Sequence, residues 1–464
     1  MAESTPQFTQ WLDPDAVASV SRSLGDSPAL SSARQRAFEA FLELPMEPNP
    51  LYRKYGYFAG VDLSGISPSV GGSPVRDPPS QPQRLQIVHD ATGSRIRIPP
   101  DLERAGVRVE EFADAQLDPA DHGVPFLRGL EPPADRLGAL ALALVNRGYR
   151  MIVPGQLPAP VVVEDFTVLS APHEALSVRR SIQVGPESRL LFAEQTYSTP
   201  AETPGQRLYA SSVDVDLGGG SQGAYLAVHG PDPEVVSVYQ RHASVGPSAK
   251  MGWVWTGFGG FRTKVRNSTE LVGNGSDVED LQTFFGTGNQ AYDSAVNITH
   301  LGTDTHGQSI TRGVFRDESR GMSRGLVRIE PNARKTISFI SEHAMLLSRK
   351  ARSDTIPILE ILCRDVKATH STSVAPVDPE KVFYLESRGL TEQDSVRMIA
   401  EGFLSHVLER APVAQLRELL YPILADRWEN VVPRWGPEPL PALANLAFAG
   451  DVAETEWRFD TKLR

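Results

Sequence analysis

Apolar residues change their spacing twice along this chain. Within 32–44 they fall at 37, 38, 41, 42 and 44 among strong helix formers, and Pro45 stops the run, so the spacing predicts an amphipathic helix. The Ala- and Leu-rich stretch 134–149 predicts another. From about 158 the texture shifts to short runs of β-branched and aromatic residues separated by Gly, Pro, Asn or Asp, among them 176–184, 213–217, 235–239, 252–255 and 336–340. No helical period interrupts them, which excludes a βαβ fold. After 377 the helical period returns. Thr391 with Asp394 suits an N-terminal cap, and Val396, Ile399, Phe403, Leu404, Val407 and Leu408 make one stripe. Beyond Pro412 a second stripe contains Leu416, Leu420 and Leu424.

The pattern divides the chain into an N-terminal helical region (1–66), a Pro-rich linker (67–83), a mixed connecting region (84–157), a β core (158–377), a C-terminal helical region (378–430) and a tail (431–464). The β core carries a weak internal repeat. Val184-Gly185-Pro186-Glu187-Ser188-Arg189 resembles Val245-Gly246-Pro247-Ser248-Ala249-Lys250 and Ile329-Glu330-Pro331-Asn332-Ala333-Arg334. Their starts lie 61 and 84 residues apart, near three and four units of roughly 20–21 residues, a length suited to the coil of a parallel β-helix. The expectation is that Val184, Val245 and Ile329 sit in equivalent inward positions. An antiparallel sandwich or barrel is the alternative.

Composition narrows the chemistry. The formal net charge of −11 over 464 residues argues against nonspecific binding to nucleic acid or anionic membranes, which requires a basic face. Neither a secretory signal nor an apolar run of membrane-spanning length is visible, so a soluble cytoplasmic protein is expected. One cysteine, Cys363, excludes an intramolecular disulfide, a Cys-only zinc site and a four-cysteine iron–sulfur site within the chain. No GxxxxGK[S/T] occurs, which excludes P-loop nucleotide hydrolysis.

Cys363 ends a strand-like run, where a buried small hydrophobe is the simpler reading. His300 and His306 flank a turn and could hold a metal on adjacent rungs, although structural roles in the turn explain them more simply. His370 stands apart. By strand alternation it shares a face with Val366 and Ala368, and an imidazole at the end of an apolar strand face can ligate a metal, with core packing as the equal alternative.

The same segment carries a family resemblance. Pro357-Ile358-Leu359-Glu360-Ile361, then Asp365-Val366-Lys367-Ala368-Thr369-His370, then Val382-Phe383-Tyr384-Leu385-Glu386-Ser387-Arg388-Gly389-Leu390 resembles the C-terminal signature of the SufB/SufD family of iron–sulfur cluster assembly scaffolds. Arg312-Gly313-Val314-Phe315 and the run 325–333 extend the likeness, which is strong over roughly 295–410 and thin before 160. The chain looks more SufD-like than SufB-like. Ala351 stands where SufB-type members carry a cysteine before the Thr355-Ile356-Pro357 strand, and His370-Ser371 replaces their His-Glu.

The resemblance implies a mainly β protein, a right-handed parallel β-helix flanked by N- and C-terminal helical regions. It implies a non-catalytic scaffold that pairs with a SufB-like subunit and binds a SufC-like ABC-type ATPase through its C-terminal helices. A transient iron–sulfur cluster would form at the subunit junction, with His370 as its metal ligand here; Cys363 does not fall at the SufB cysteine position, so the resemblance gives it no such role and it stays only a weaker candidate. Leu416, Leu420 and Leu424 would face the ATPase, with packing within the chain as the equal alternative. Two other classes compete. A carbohydrate-active β-helix would use Asp214/Asp216 or Asp277/Glu279/Asp280, and a structural adaptor would use no ligand at all.

Overall fold

The computed structural model describes residues 14–45, 73–111, 135–199, 205–410 and 416–429, with a few isolated positions between 47 and 68. Its centre is a parallel β-solenoid of about eight turns, in which each turn contributes one strand to each of two sheets. One sheet runs from Arg147–Val153 to Arg352–Ile361, the other from Leu85–Asp90 to Val366–Pro376, every consecutive pair in parallel register. Short antiparallel additions, Gly93–Arg97 and Arg108–Glu111, close the first turn.

The repeated turn sequences explain why the chain coils. Val184, Leu217, Val245, Leu271, His300 and Ile329 stack in one inward column, so the three repeat starts are equivalent as expected. The period is different. Consecutive members lie 26–33 residues apart, so spacings of 61 and 84 are two and three turns rather than three and four units. A turn needs two strands of about ten residues and two corners, which 20–21 residues cannot supply.

At the corner after the column, Glu187, Gly220, Ser248, Gly275 and Asp304 take left-handed backbone conformations, and each donates its N–H to a carbonyl of the following corner. Gly185 has no room for a side chain, because a Cβ there would lie 2.3 Å from the Gly155 nitrogen.

The lumen is packed, and its composition changes along its length. Phe192, Tyr225 and Trp253 stack in register. In the early turns Asp165 accepts from Arg180 Nη2 at 2.6 Å and Nε at 2.9 Å and from the Tyr149 hydroxyl at 2.6 Å. Glu194 accepts from the hydroxyls of Tyr209 and Tyr225 and faces Arg241. Burial raises the Asp165 carboxyl, but the charges and hydrogen bonds of Arg180 and then His89 together outweigh it and hold the group well below the usual carboxylate range.

Helices cover the two outer faces. The first are α1 (Pro14–Leu24), α2 (Pro28–Glu43, capped by Ser27), the short α3 (Pro100–Arg104) and α4 (Arg136–Ala143). Helices α1, α2 and α4 pack on Ala175, Leu208, Ala210, Val236 and Val238. Arg34 ties α2 to the end of α4 through the carbonyls of Ala143 and Val145, both at 2.8 Å. After the solenoid come α5 (Pro379–Glu386), α6 (Glu392–Leu408) and α7 (Leu416–Trp428). Thr391 caps α6 as expected, accepting from the Asp394 N–H at 3.1 Å. Ala400, Leu404, Val407 and Leu408 of α6 and Ile423, Leu424 and Trp428 of α7 bury against the other sheet's outer face.

One boundary differs from the pattern of the sequence. The solenoid begins at Leu85–Asp90, inside the stretch read as a connecting region, because that strand pairs in parallel with Val161–Leu169. The described part of the Pro-rich segment is tied down, with the Val75 N–H donating to Asp90 Oδ2 at 2.9 Å and its carbonyl accepting from Arg95. The tail 431–464 lies outside the described residues.

Candidate functional site at the open end of the solenoid

Each turn of a solenoid hides its inward side chains under the next turn. The last turn has none above it. Its strands, Arg352–Ile361 and Val366–Pro376, pair on one side only. Ile361 stacks on the fully buried Ile329, yet is 43% exposed; Val374 stacks on Ala344 and is 40% exposed. Both point along the lumen direction, so the end presents core-type side chains and a free strand edge to solvent.

His370 sits in the middle of this end. It is in register with Ile340, and below it the column continues through Ser309, Asp280, Trp253, Tyr225 and Phe192, all buried. His370 itself is exposed and makes no hydrogen bond or ion pair among the described residues. Within this chain His370 therefore does not pack in the core. The predicted shared face with Val366 and Ala368 holds, since these two pack partly on the inner core.

Two local features frame His370. A corner at 362–365 moves the chain from one sheet to the other just before the strand that carries His370. Ser371 cannot orient the His370 ring from the same face; it points outward, with its hydroxyl 3.5 Å from His343 Nε2. Cys363 lies in that corner, 8% exposed and part of the inner core.

The other candidates separate. His300 is fully buried in the lumen, held by Thr305 at 2.8 Å and Ser338 at 3.2 Å, and burial pushes its pKa down to about 3. His306, on the next strand, faces outward, so the pair does not converge. Asp280 faces the lumen whereas Asp277 and Glu279 face outward, and Arg410 clamps Glu279. Asp214 is taken by Arg179 and His242. The acidic residues a sugar-cleaving site requires are thus spread over both faces. Among the described residues no three His, Cys, Asp or Glu side chains converge to hold a metal ion.

Leu424 is buried against the solenoid, which removes it from any partner-facing surface in this chain. The side chains of Leu416 and Leu420 lie outside the described residues. Large apolar side chains do remain open on the C-terminal helices: Phe383 and Tyr384 on α5 and Met398 on α6.

Sequence reasoning missed the lumen charges, among them one close to the open end. Glu342, stacked directly beneath Thr372, accepts from Ser323 at 2.5 Å, its second carboxylate oxygen is buried without a partner, and burial pushes its pKa up to about 7. Alternation from Ile340 places position 342 inward, and that was the available signal.

Comparison with known proteins yields a consistent set of relatives. The family described as SUF system FeS cluster assembly, SufBD core domain, matches residues 167–403. The iron–sulfur cluster assembly protein SufD of Bacillus subtilis is 27% identical over 348 residues, covering 74% of this chain and 79% of that protein. SufB of the same organism is 23% identical over 320 residues, 69% of this chain and 68% of its own length. A SufBD family protein of Mycobacterium tuberculosis is 26% identical over 235 residues, half of this chain and 28% of that longer protein.

Proposed function

The chain belongs to the SufBD family of iron–sulfur cluster assembly proteins, and from that premise we propose that it is a SufD-like, non-catalytic scaffold subunit whose open solenoid end pairs with a SufB-like subunit. The observation that carries this reading is the unfinished last turn: a lumen-facing imidazole ringed by exposed core-type residues such as Ile361 and Val374. A second solenoid end laid against it would bury those side chains and enclose His370. The iron–sulfur cluster is cargo in this reading. His370 offers one nitrogen to iron at the junction, and the sulfur ligands come from the partner, because the chain's one cysteine is committed to packing in its corner.

The α5–α7 region is the proposed dock for a SufC-like ATPase. Leu416 and Leu420 stay in that proposal, Leu424 leaves it, and the exposed Phe383, Tyr384 and Met398 join it. The complex would act in the cytoplasm.

The test is His370→Ala in the complex co-expressed with its neighbours. The purified assembly should keep its subunits while its iron and sulfide fall sharply. Wild-type iron and sulfide in the variant would leave the chain a structural adaptor. Loss of the complex itself would make His370 a packing residue of the interface.

A further inference from the structure

On the outer face of the last turns a different cluster forms, unconnected with the lumen. Arg312, His343 and Ser373 occupy one outward column on three consecutive strands. His343 Nδ1 lies 2.5 Å from the Ser373 hydroxyl and its Nε2 3.5 Å from that of Ser371. Helix α6 closes the other side. The Arg312 guanidinium lies 4.8 Å over the Phe403 ring, and His406, three residues on, shares that side of the helix.

Arg312 has no anionic or hydrogen-bonding partner among the described residues, and its Nε is buried unpaired. A part-buried cation without a counter-charge is costly, all the more unusual in a chain of net charge −11. The nearby charges are engaged or leave it unpaired: Arg410 is held by Glu279 and Gln308, and Glu409 is felt at His406 and not at Arg312. Burial lowers the pKa of both His343 and His406, and the Arg312 charge is the next cause for each, in keeping with the Arg312–Phe403 stack that brings this side of α6 over the column.

We propose that Arg312, His343 and His406, with the Ser371 and Ser373 hydroxyls, form an oxyanion-binding site at the junction of the last turns and α6. The stacked guanidinium presents a planar fork suited to two oxygens of a phosphate or carboxylate, and imidazole N–H and hydroxyl groups surround it. The site goes beyond cluster assembly and stands on residues separate from His370.

The experiment is calorimetric titration of the full-length isolated chain with inorganic phosphate and, separately, with glutarate, alongside NMR of the histidine ring signals. One saturable site is expected, moving the His343 and His406 signals and leaving buried His300 in place. Arg312→Gln should weaken binding at least tenfold. Arg312→Lys, which keeps the charge but loses the fork, should weaken it severalfold, as should His343→Asn; these two carry the test should Arg312→Gln fail to fold. Tighter phosphate binding assigns the site to a free phosphoryl ligand, tighter glutarate binding to a carboxylate of a docked chain. Absence of saturable binding for both anions, or binding that Arg312→Gln leaves unchanged, overturns the proposal.

Discussion

His300 and His370 occupy the same kind of position, an inward point on a solenoid strand, and differ in nearly every physical respect. His300 has turns stacked on both sides, hydroxyl partners on both nitrogens and a pKa driven down to about 3 by burial. His370 has one turn beneath it and solvent above. Side-chain direction is therefore not burial. In a solenoid the interior exists only where another turn closes it, so the last turn turns core residues into a binding surface. The early lumen shows the opposite extreme, with Asp165, Arg180 and Glu194 fully enclosed and mutually paired.

Three perturbations probe that contrast. The largest effect should come from the closed end. Arg180→Ala strands the Asp165 and Glu194 carboxylates in the lumen, and losing one partner of a buried pair costs about 3–5 kcal/mol. Denaturant unfolding should show this; a change under ~1 kcal/mol would mean that water reaches the early lumen.

Next is Glu342, one turn from the open end. Its pKa is raised to about 7 by burial, so between the ordinary carboxylate range and about pH 7 the folded chain holds a proton that the unfolded chain has released. Stability contributed at this site therefore falls as pH rises through that window and stays lost above it. Glu342→Gln should match wild type near pH 4 and exceed it by roughly 3–4 kcal/mol at pH 8, by the linkage of about 1.4 kcal/mol per pH unit. A pH-independent difference would show that solvent enters this far from the open end.

The smallest effect on stability should come from the end itself. Ile361→Asp changes a half-exposed side chain and should alter unfolding by no more than about 0.5 kcal/mol. The same change should abolish pairing with the partner subunit in size-exclusion or pull-down measurements, since it puts a charge into the apolar part of the junction. Retained pairing would move the interface away from the last turn.

Much of this was readable beforehand. The recurring Val-Gly-Pro corners identified the inward column correctly, because stacked turns need the same backbone geometry at each level. The helix cap at Thr391 and the stripe containing Leu404 and Val407 were also legible, being local patterns of capping and amphipathicity. The turn length was not, since spacings of 61 and 84 residues divide into three and four short units as evenly as into two and three turns of about 30 residues. Nor was Leu424 separable from a partner-facing residue: an apolar stripe says that something covers it without saying which chain does.

By itself, then, the amino-acid sequence determined the β-rich coil, its inward column, its helical flanks and the singular histidine at position 370, all consequences of short-range periodicity and turn chemistry. The tertiary structure alone decided which inward residues are enclosed. It set Asp280 in the lumen and Asp277 outside, turned Ser371 away from His370, and brought Arg312 beside His343 and under the ring of Phe403. These depend on register between strands about 30 residues apart and on where the stacking stops, and neither is encoded in any one segment.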